Sequence, residues 1–274
     1  MRLHVVSSGS CGNCFYVEND GQALFIDMGI GPRILKKHCM NYGVPVHLIR
    51  AVLLTHDHAD HCRNVGYFSK KHFIPIYALP DVFTGIDENH SLHHKPELTM
   101  RHFIAYNEPF ELAGMRITPF FVPHDSKANT GYFIETQDTN LCLMTDVGTF
   151  TPEMKTYIER AENLIVEANY DPEMLQNGRY AGIYIGKDEK SGRVLTLKDR
   201  VASGTGHSSN FETADTLREH LTPLTKRVFL CHLSRENNTP ELARAAVQAA
   251  LDDIQHKATL VVLEHGVPTN FYDL

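Results

Sequence analysis

Seven consecutive residues, Thr55-His56-Asp57-His58-Ala59-Asp60-His61, carry three imidazoles and two carboxylates. His56 and His58 stand two apart, so on an extended segment they face the same side. Asp60 and His61 follow on the turn. Imidazole and carboxylate together suit zinc, manganese or iron, and one such loop can feed two adjacent ions. A lone buried histidine is usually satisfied by ordinary hydrogen bonds. Like charges and desolvated imidazoles packed this closely are costly without a cation, so the run reads as a metal-binding loop. Three further polar residues stand where apolar strands end: His124, Asp146 and His232. His265 also follows a strand, but its place near the C-terminal tail favours His232.

The loop needs a rigid strand behind it. Ile49–Thr55 is apolar apart from Arg50 and delivers the cluster at its C-terminal end. Before it, Leu3–Val6, Phe15–Glu18 and Leu24–Asp27 read as strands, with Asn19-Asp20-Gly21 as a hairpin signal. Pro32–Tyr42 has helical spacing and Gly43 can close it. Further strands are expected over Phe73–Leu79, Met115–Val122, Gly131–Thr136, Leu141–Thr145, Leu164–Ala168, Val228–Cys231 and Leu260–Leu263. Helices are expected over Pro172–Gln176, Phe211–Leu221 and Pro240–Gln255. In the last, Thr239 is the N-cap, Pro240 is at N1, and Leu242, Ala246, Val247, Leu251 and Ile254 form the apolar stripe. Gly186–Arg193 is polar enough for a surface loop or hairpin. The pattern fits two packed sheets with helices outside them, in one domain spanning 1–274.

The chain has 274 residues, 42% hydrophobic and 22% charged, which is ordinary globular composition. No run approaches the ~18 apolar residues of a membrane span, and the opening Met1–Val6 is too short for a signal-peptide core. A soluble, cytoplasmic protein is expected. The six cysteines then read as free thiols, including the Cys11-x-x-Cys14 pair, which has no second pair to complete a zinc site. His90, His93 and His94 read as a polar surface loop. The net charge of −7 argues against a protein that coats nucleic acid, though not against an enzyme that grips a phosphodiester through metal ions.

The run His56-x-His58-x-Asp60-His61 resembles the signature of the metallo-β-lactamase superfamily. Val122-Pro123-His124-Asp125-Ser126, Met144-Thr145-Asp146-Val147-Gly148 and Leu230-Cys231-His232-Leu233-Ser234 follow in that family's order. The resemblance implies an α+β fold, a four-layer αββα sandwich. It implies that His56, His58 and His124 hold one divalent ion, that Asp60, His61 and His232 hold a second, and that Asp146 bridges both, as does a nucleophilic hydroxide. Asp60 is then both a ligand and a catalytic group that orients the nucleophile or takes up a proton. Zinc and manganese both suit such a site. β-Lactamases of this fold usually place cysteine where Asp146 stands, whereas its phosphodiesterases, thioesterases and lactonases place aspartate.

Three more boxes narrow the resemblance. Ser7-Ser8-Gly9-Ser10-Cys11-Gly12-Asn13-Cys14, Gly206-His207-Ser208-Ser209-Asn210 and His232-Leu233-Ser234-Arg235-Glu236-Asn237-Asn238 resemble boxes of the bacterial YycJ/WalJ proteins, with Ser208 where leucine is usual. That subfamily implies 5′-to-3′ exonuclease action on DNA and a part in DNA repair. Gly- and Ser-rich turns beside a metal site can offer N–H and hydroxyl groups to phosphate. Ser8, Ser10, Asn13, Ser209, Asn210 and Asn237 are therefore candidate substrate-binding residues, and His207 a candidate catalytic one. Arg33, Lys36, Lys198, Arg200 and Arg235 are candidates to gather positive charge at the cleft. The competing readings are a thioesterase or lactonase with the same site and a non-catalytic relative, which the intact metal positions disfavour. Too few residues separate Asp146 from His232 for the nucleic-acid clamp of the β-CASP branch.

Overall fold

The structure, a computed structural model, describes residues 1–187 and 194–274. The tip of the segment expected as a surface loop, residues 188–193, lies outside the described residues. In chain order the strands are β1 (Arg2–Ser7), β2 (Cys14–Asn19), β3 (Gln22–Ile26), β4 (Ile49–Leu53), β5 (Ile76–Ala78), β6 (Arg101–Phe103), β7 (Phe110–Leu112), β8 (Met115–Phe121), β9 (Thr130–Glu135), β10 (Asn140–Met144), β11 (Asn163–Glu167), β12 (Tyr184–Lys187), β13 (Val194–Thr196), β14 (Arg227–Cys231), β15 (Thr259–Val262) and β16 (Tyr272–Asp273). The helices are α1 (Pro32–Tyr42), α2 (Ala59–Cys62), α3 (Val65–His72), α4 (Pro80–Glu88), α5 (Pro152–Arg160), α6 (Pro172–Asn177), α7 (Leu197–Val201), α8 (Asn210–His220) and α9 (Pro240–Asp253).

Two sheets carry the architecture. The first runs β16-β1-β2-β3-β4-β5-β6, the second β15-β14-β11-β10-β9-β8-β7, and β12-β13 is a separate antiparallel ribbon. The second sheet is buried on both faces. Tyr132, Ile134, Leu141, Leu143, Ile165 and Phe229 pack into the core shared with the first sheet. Their alternates Phe133, Cys142, Met144, Leu164, Val166 and Val228 pack outward against α5, α8 and α9. This is strand periodicity with an apolar layer on each side. Leu35 and Cys39 of α1, Phe68 of α3 and Val82 and Ile86 of α4 cover the first sheet. The result is the αββα sandwich.

Local signals explain most element ends. Asp20 and Gly21 both take positive φ (47° and 71°), the requirement of a tight two-residue hairpin between β2 and β3. Pro32 opens α1, and Gly43 closes it in the left-handed region (φ 66°), its N–H bonded to Cys39 O. Elsewhere the sequence reading needs correction. Phe73 does not begin a strand: it is the left-handed cap of α3, so β5 starts only at Ile76. The strand before the histidine loop stops at Leu53, because Thr55 turns its N–H to Asp27. Helices α3, α4 and α5 were not expected, although Thr151-Pro152 is a standard start and the Thr151 hydroxyl does cap Met154 N–H. The apolar stripe of α9 is rotated: Ala243, Val247, Ala250 and Leu251 are buried, and Leu242 is 39% exposed. The alanines let α9 lie close against α8, so small residues, not the largest ones, mark its inner face.

Candidate active site

The site residues sit where strands end on one edge of the sandwich. β3 and β4 run parallel, as do β10, β11 and β14, so their C-terminal ends share that edge. Ligands bind outside the carboxyl ends of such strands. At three of these ends the chain bends through the left-handed region: Asp27 (φ 60°), Asp146 (φ 56°) and His232 (φ 53°). Such a conformation costs roughly 1–3 kcal/mol in a non-glycine residue and persists only where neighbours impose it. Here the neighbours are hydrogen bonds. Asp27 accepts from the Thr55 N–H (2.8 Å), the Thr55 hydroxyl (2.9 Å) and His61 Nδ1 (2.7 Å). The His232 N–H donates to Ser8 Oγ (2.9 Å).

Four donor groups converge. His56, His58 and His124 form one, Asp60, His61 and His232 a second, His56, His61 and Asp146 a third, and Asp146, Glu167, His207 and His232 a fourth, with the donor atoms of each group within 4.8 Å of one another. Asp146 joins them: its oxygens lie 3.2 Å from His61 Nε2, 3.6 Å from His124 Nε2 and 3.5 Å from His232 Nε2. The seven positions expected from sequence are therefore brought together. His265 is elsewhere, with its Nδ1 against Gly9.

The residues fit a metal. His56 Nε2 is buried with no hydrogen-bond partner, a costly state unless a cation takes up the lone pair. The opposite nitrogens are committed: His56 Nδ1 to the Thr55 hydroxyl (3.0 Å), His61 Nδ1 to Asp27, His124 Nδ1 to Gly206 O (2.9 Å) and His232 Nδ1 to Glu167 (3.1 Å). This outer bonding orients metal-ligating histidines and fixes their tautomers. The electrostatics agree. Burial by itself would lower His61, yet Asp146, Asp27 and Asp60 together hold it well above the ordinary imidazole value. Burial, then His61, pushes His56 well below it. Asp146 is held far below the usual carboxylate range by His232 and His61, against the effect of its burial. Asp146 is thus kept ionised and His56 neutral, the states that bind metal, whereas His61 and His232, the latter raised to about 10, hold protons that a bound cation displaces.

Glu167, the last residue of β11, is a buried hub that sequence reasoning missed. Its carboxylate accepts from His207 Nδ1 (2.8 Å), His232 Nδ1 (3.1 Å), the Val147 N–H (2.8 Å) and the Ser208 N–H (3.0 Å). Burial would raise this carboxyl, and the His207 and His232 imidazoles hold it low instead. Burial would likewise lower His207, and Glu167 raises it. Asp27 was missed too. The available signal for both was a single acid closing an apolar strand, as in Leu164-Ile165-Val166-Glu167.

The cleft beside the cluster, about 200 Å³, is lined by Ser10, His58, Asp60, Asp146, Arg200 and His207 among others. Of the residues expected to meet substrate, the structure brings Ser10 and His207 to this wall. Asn13 lies beneath it, with Nδ2 2.9 Å from His61 Nε2 and Oδ1 accepting from the Gly9 N–H. Ser209 caps α8, and Asn210 pairs with Asn238. Asn237 is buried, its N–H bonded to Ser234 Oγ. Of the basic candidates only Arg200 lines the cleft, paired with Asp125. Lys198 bonds Gln176, Arg235 is exposed, and Arg33 and Lys36 stand beside another groove. His90, His93 and His94 are exposed in the loop after α4, and all six cysteines are free thiols.

The family defined as the β-lactamase superfamily domain matches residues 27–233, which contain every residue of the cluster. The chain belongs to the metallo-β-lactamase superfamily. It is 30% identical to the exodeoxyribonuclease WalJ of Streptococcus pneumoniae (serotype 2, strain D39) over 88% of this chain and 85% of that protein. It is also 30% identical to the exodeoxyribonuclease YycJ of Bacillus anthracis, over 92% of this chain and 90% of that one. The crystal structure of the metallo-β-lactamase fold protein YhfI from Bacillus subtilis superposes with a TM-score of 0.68 at 16% identity, covering 98% of each chain. As a member of this superfamily with an intact His/Asp cluster capable of binding divalent metal, the chain is a metal-dependent hydrolase of the nuclease type. Among the described residues, no helix is long and apolar enough to cross a membrane.

Proposed function

We propose that this chain is an exodeoxyribonuclease that hydrolyses DNA phosphodiesters from a 5′ end, using two divalent ions, zinc or manganese. The observation that carries the reading is the meeting of two donor sets at Asp146, beside a cleft lined by His207, which the buried Glu167 holds through its Nδ1. The relatives named above supply the choice of DNA. His56, His58 and His124 would hold one ion and Asp60, His61 and His232 the other, with Asp146 standing between the two sets. Bound divalent cations supply Lewis-acid activation of water and neutralise charge on the phosphate.

The chain's own groups do the rest. Asp60, held low by His61 and His232 against its burial, stays ionised and orients the nucleophile or accepts its proton. His207, raised by Glu167, carries a proton on the cleft wall and delivers it to the leaving oxygen. Ser10 offers a hydroxyl to the phosphate, and Arg200 a guanidinium once it leaves Asp125. The remaining candidates, Ser8, Asn13, Ser209, Asn210 and Asn237, position this wall from behind. A cleft of about 200 Å³ is smaller than the roughly 300–1,000 Å³ of drug-sized ligand pockets and suits one reacting phosphate group. We infer also that residues 1–274 act as one domain and work in the cytoplasm, where free thiols persist.

The test is incubation of the zinc- and manganese-loaded protein with end-labelled duplex DNA, RNA, a thioester and a lactone. Release of 5′-labelled mononucleotides from DNA is expected. Fast thioester or lactone turnover with intact DNA overturns the proposal in favour of a small-molecule hydrolase.

A further inference from the structure

A second cavity, of about 760 Å³, lies between α1 and α3 on the outer helical layer and shares no lining residue with the catalytic cleft. Its walls are apolar: Leu35, Cys39 and Val44 on one side, Phe68 on the other, all buried, with Tyr67 and Met40 standing over them. Met40 is 72% exposed, a large apolar side chain left in water at the mouth of an apolar groove. Two further observations set this groove apart from an ordinary crevice between helices.

The first is Asn64. It lines the cavity, is 2% exposed, and neither its Nδ2 nor its Oδ1 has a hydrogen-bond partner. A buried amide left without partners is costly, and a ligand that pairs with it recovers that cost. A carboxamide offers donors and an acceptor side by side, the complement of a peptide unit's C=O and N–H. The second is charge. No Asp or Glu occurs from residue 28 to 56 or from 61 to 80, although the chain as a whole carries −7. On the rim, Arg33, Lys36 and Lys71 are exposed and form no ion pair among the described residues, whereas the adjacent Lys70 is paired with Glu97.

We propose that the α1/α3 groove docks an acidic peptide segment of a partner protein. Bulky apolar side chains of the segment enter between the helices, its backbone pairs with Asn64, and its carboxylates meet Arg33, Lys36 and Lys71. A nucleic-acid strand would use the cations but would set its sugar–phosphate chain over Leu35, Val44 and Met40. A peptide uses all three features at once. The groove follows α1, about 16 Å long at 1.5 Å per residue, which suits a short helix or extended segment laid between two helices. Its inner end abuts the metal loop from behind, since the Asn64 N–H bonds Met28 O and Gly29 packs on Asp60 O. A docked partner would therefore hold the enzyme while leaving the catalytic cleft open.

The test is fluorescence anisotropy of the full-length, metal-loaded protein with a panel of labelled aspartate-rich peptides that differ in the spacing of Leu and Phe. A matched panel has Ser in place of Leu and Phe, and a single-stranded oligonucleotide serves as a third probe. Saturable binding of at least one Leu/Phe peptide is expected, and none of its Ser counterpart. The double variant Lys36→Glu with Lys71→Glu, and separately Met40→Asp, should each weaken binding at least about tenfold. Hydrolysis of bis(p-nitrophenyl) phosphate by these variants should match the wild type, which separates failure of this site from failure of the catalytic one. The proposal is overturned if no peptide binds or if binding ignores all three substitutions. It is also overturned if they abolish oligonucleotide binding or self-association instead, which would assign the groove to nucleic acid or to a second copy of the chain.

Discussion

Asp146 and Glu167 divide the labour of the site between them. Asp146 faces His61, His124 and His232 in the cluster, while Glu167 reaches behind it to His207 and His232. Substitutions on the two sides should therefore fail differently. Asp60→Asn removes a charged donor from one set and leaves His56, His58 and His124 intact. It should lower turnover at least about a hundredfold, with metal content falling toward one ion per chain. Near-normal rates with full metal content would remove Asp60 from the mechanism. His207→Ala leaves both donor sets whole, so metal content should hold while the rate on a phosphodiester with a poor leaving group falls. If His207 supplies the leaving-group proton, a substrate with a p-nitrophenolate leaving group should be much less affected. Loss of metal with an unchanged ratio between the two substrates would make His207 a ligand or a packing residue.

At the scale of elements, the site depends on loops that touch backbone to backbone. A Cβ added at Gly29 would sit 1.6 Å from Asp60 O, a contact that no side-chain rotation can relieve. Gly29→Ala should push the β3 loop off the metal loop. The expected result is a loss of about 2–4 kcal/mol of stability and weaker metal retention, read from denaturant midpoints and from metal content after dialysis. Gly31→Ala is the control, because nothing lies within 4 Å of its added Cβ. Equal midpoints for the two variants would show that the β3 loop is free to shift. The rotated stripe of α9 is a lesson at this scale as well. Helical spacing located the helix, but which side faces inward was set by how closely α8 could approach.

Across the whole molecule, His4 couples the fold to pH at a distance from the cluster. It is fully buried on β1, stacked on Phe271 and beside Tyr42. Burial lowers its pKa to about 4, and the backbone of Thr269 and Asn270 offsets this only partly. The unfolded chain takes up the proton below about pH 6.5, and the folded chain only near pH 4. The contribution is therefore fully present above pH 6.5, declines as pH falls toward 4, and changes no further below that. Between pH 7 and pH 5 the loss is about 2 kcal/mol. His4→Phe should show a smaller fall over that interval by about this amount, measured by urea unfolding at both pH values. Parallel declines in the two proteins would mean that His4 is not the titrating group.

The sequence by itself showed the His56–His61 run and the three later strand-end residues in order, and their resemblance to a known family supplied the reaction class. Those features are local: an apolar strand, then imidazoles and carboxylates at fixed spacing. Gly43, Asp20-Gly21 and Thr239-Pro240 were legible for the same reason, since caps and turns need particular residues at particular φ. Asp27 and Glu167 became visible only in the tertiary structure. Each looks like one acid at the end of an apolar strand, and its meaning comes from partners 28 to 65 residues away in the chain. The fates of Ser10 and Asn13 were decided in the same way. They belong to one turn, yet folding points one at the cleft and the other, buried, at His61 Nε2. The α1/α3 groove needed the packing of two helices that are separate in sequence. Local spacing fixes which groups a segment carries, whereas burial and long-range pairing fix which of them face one another.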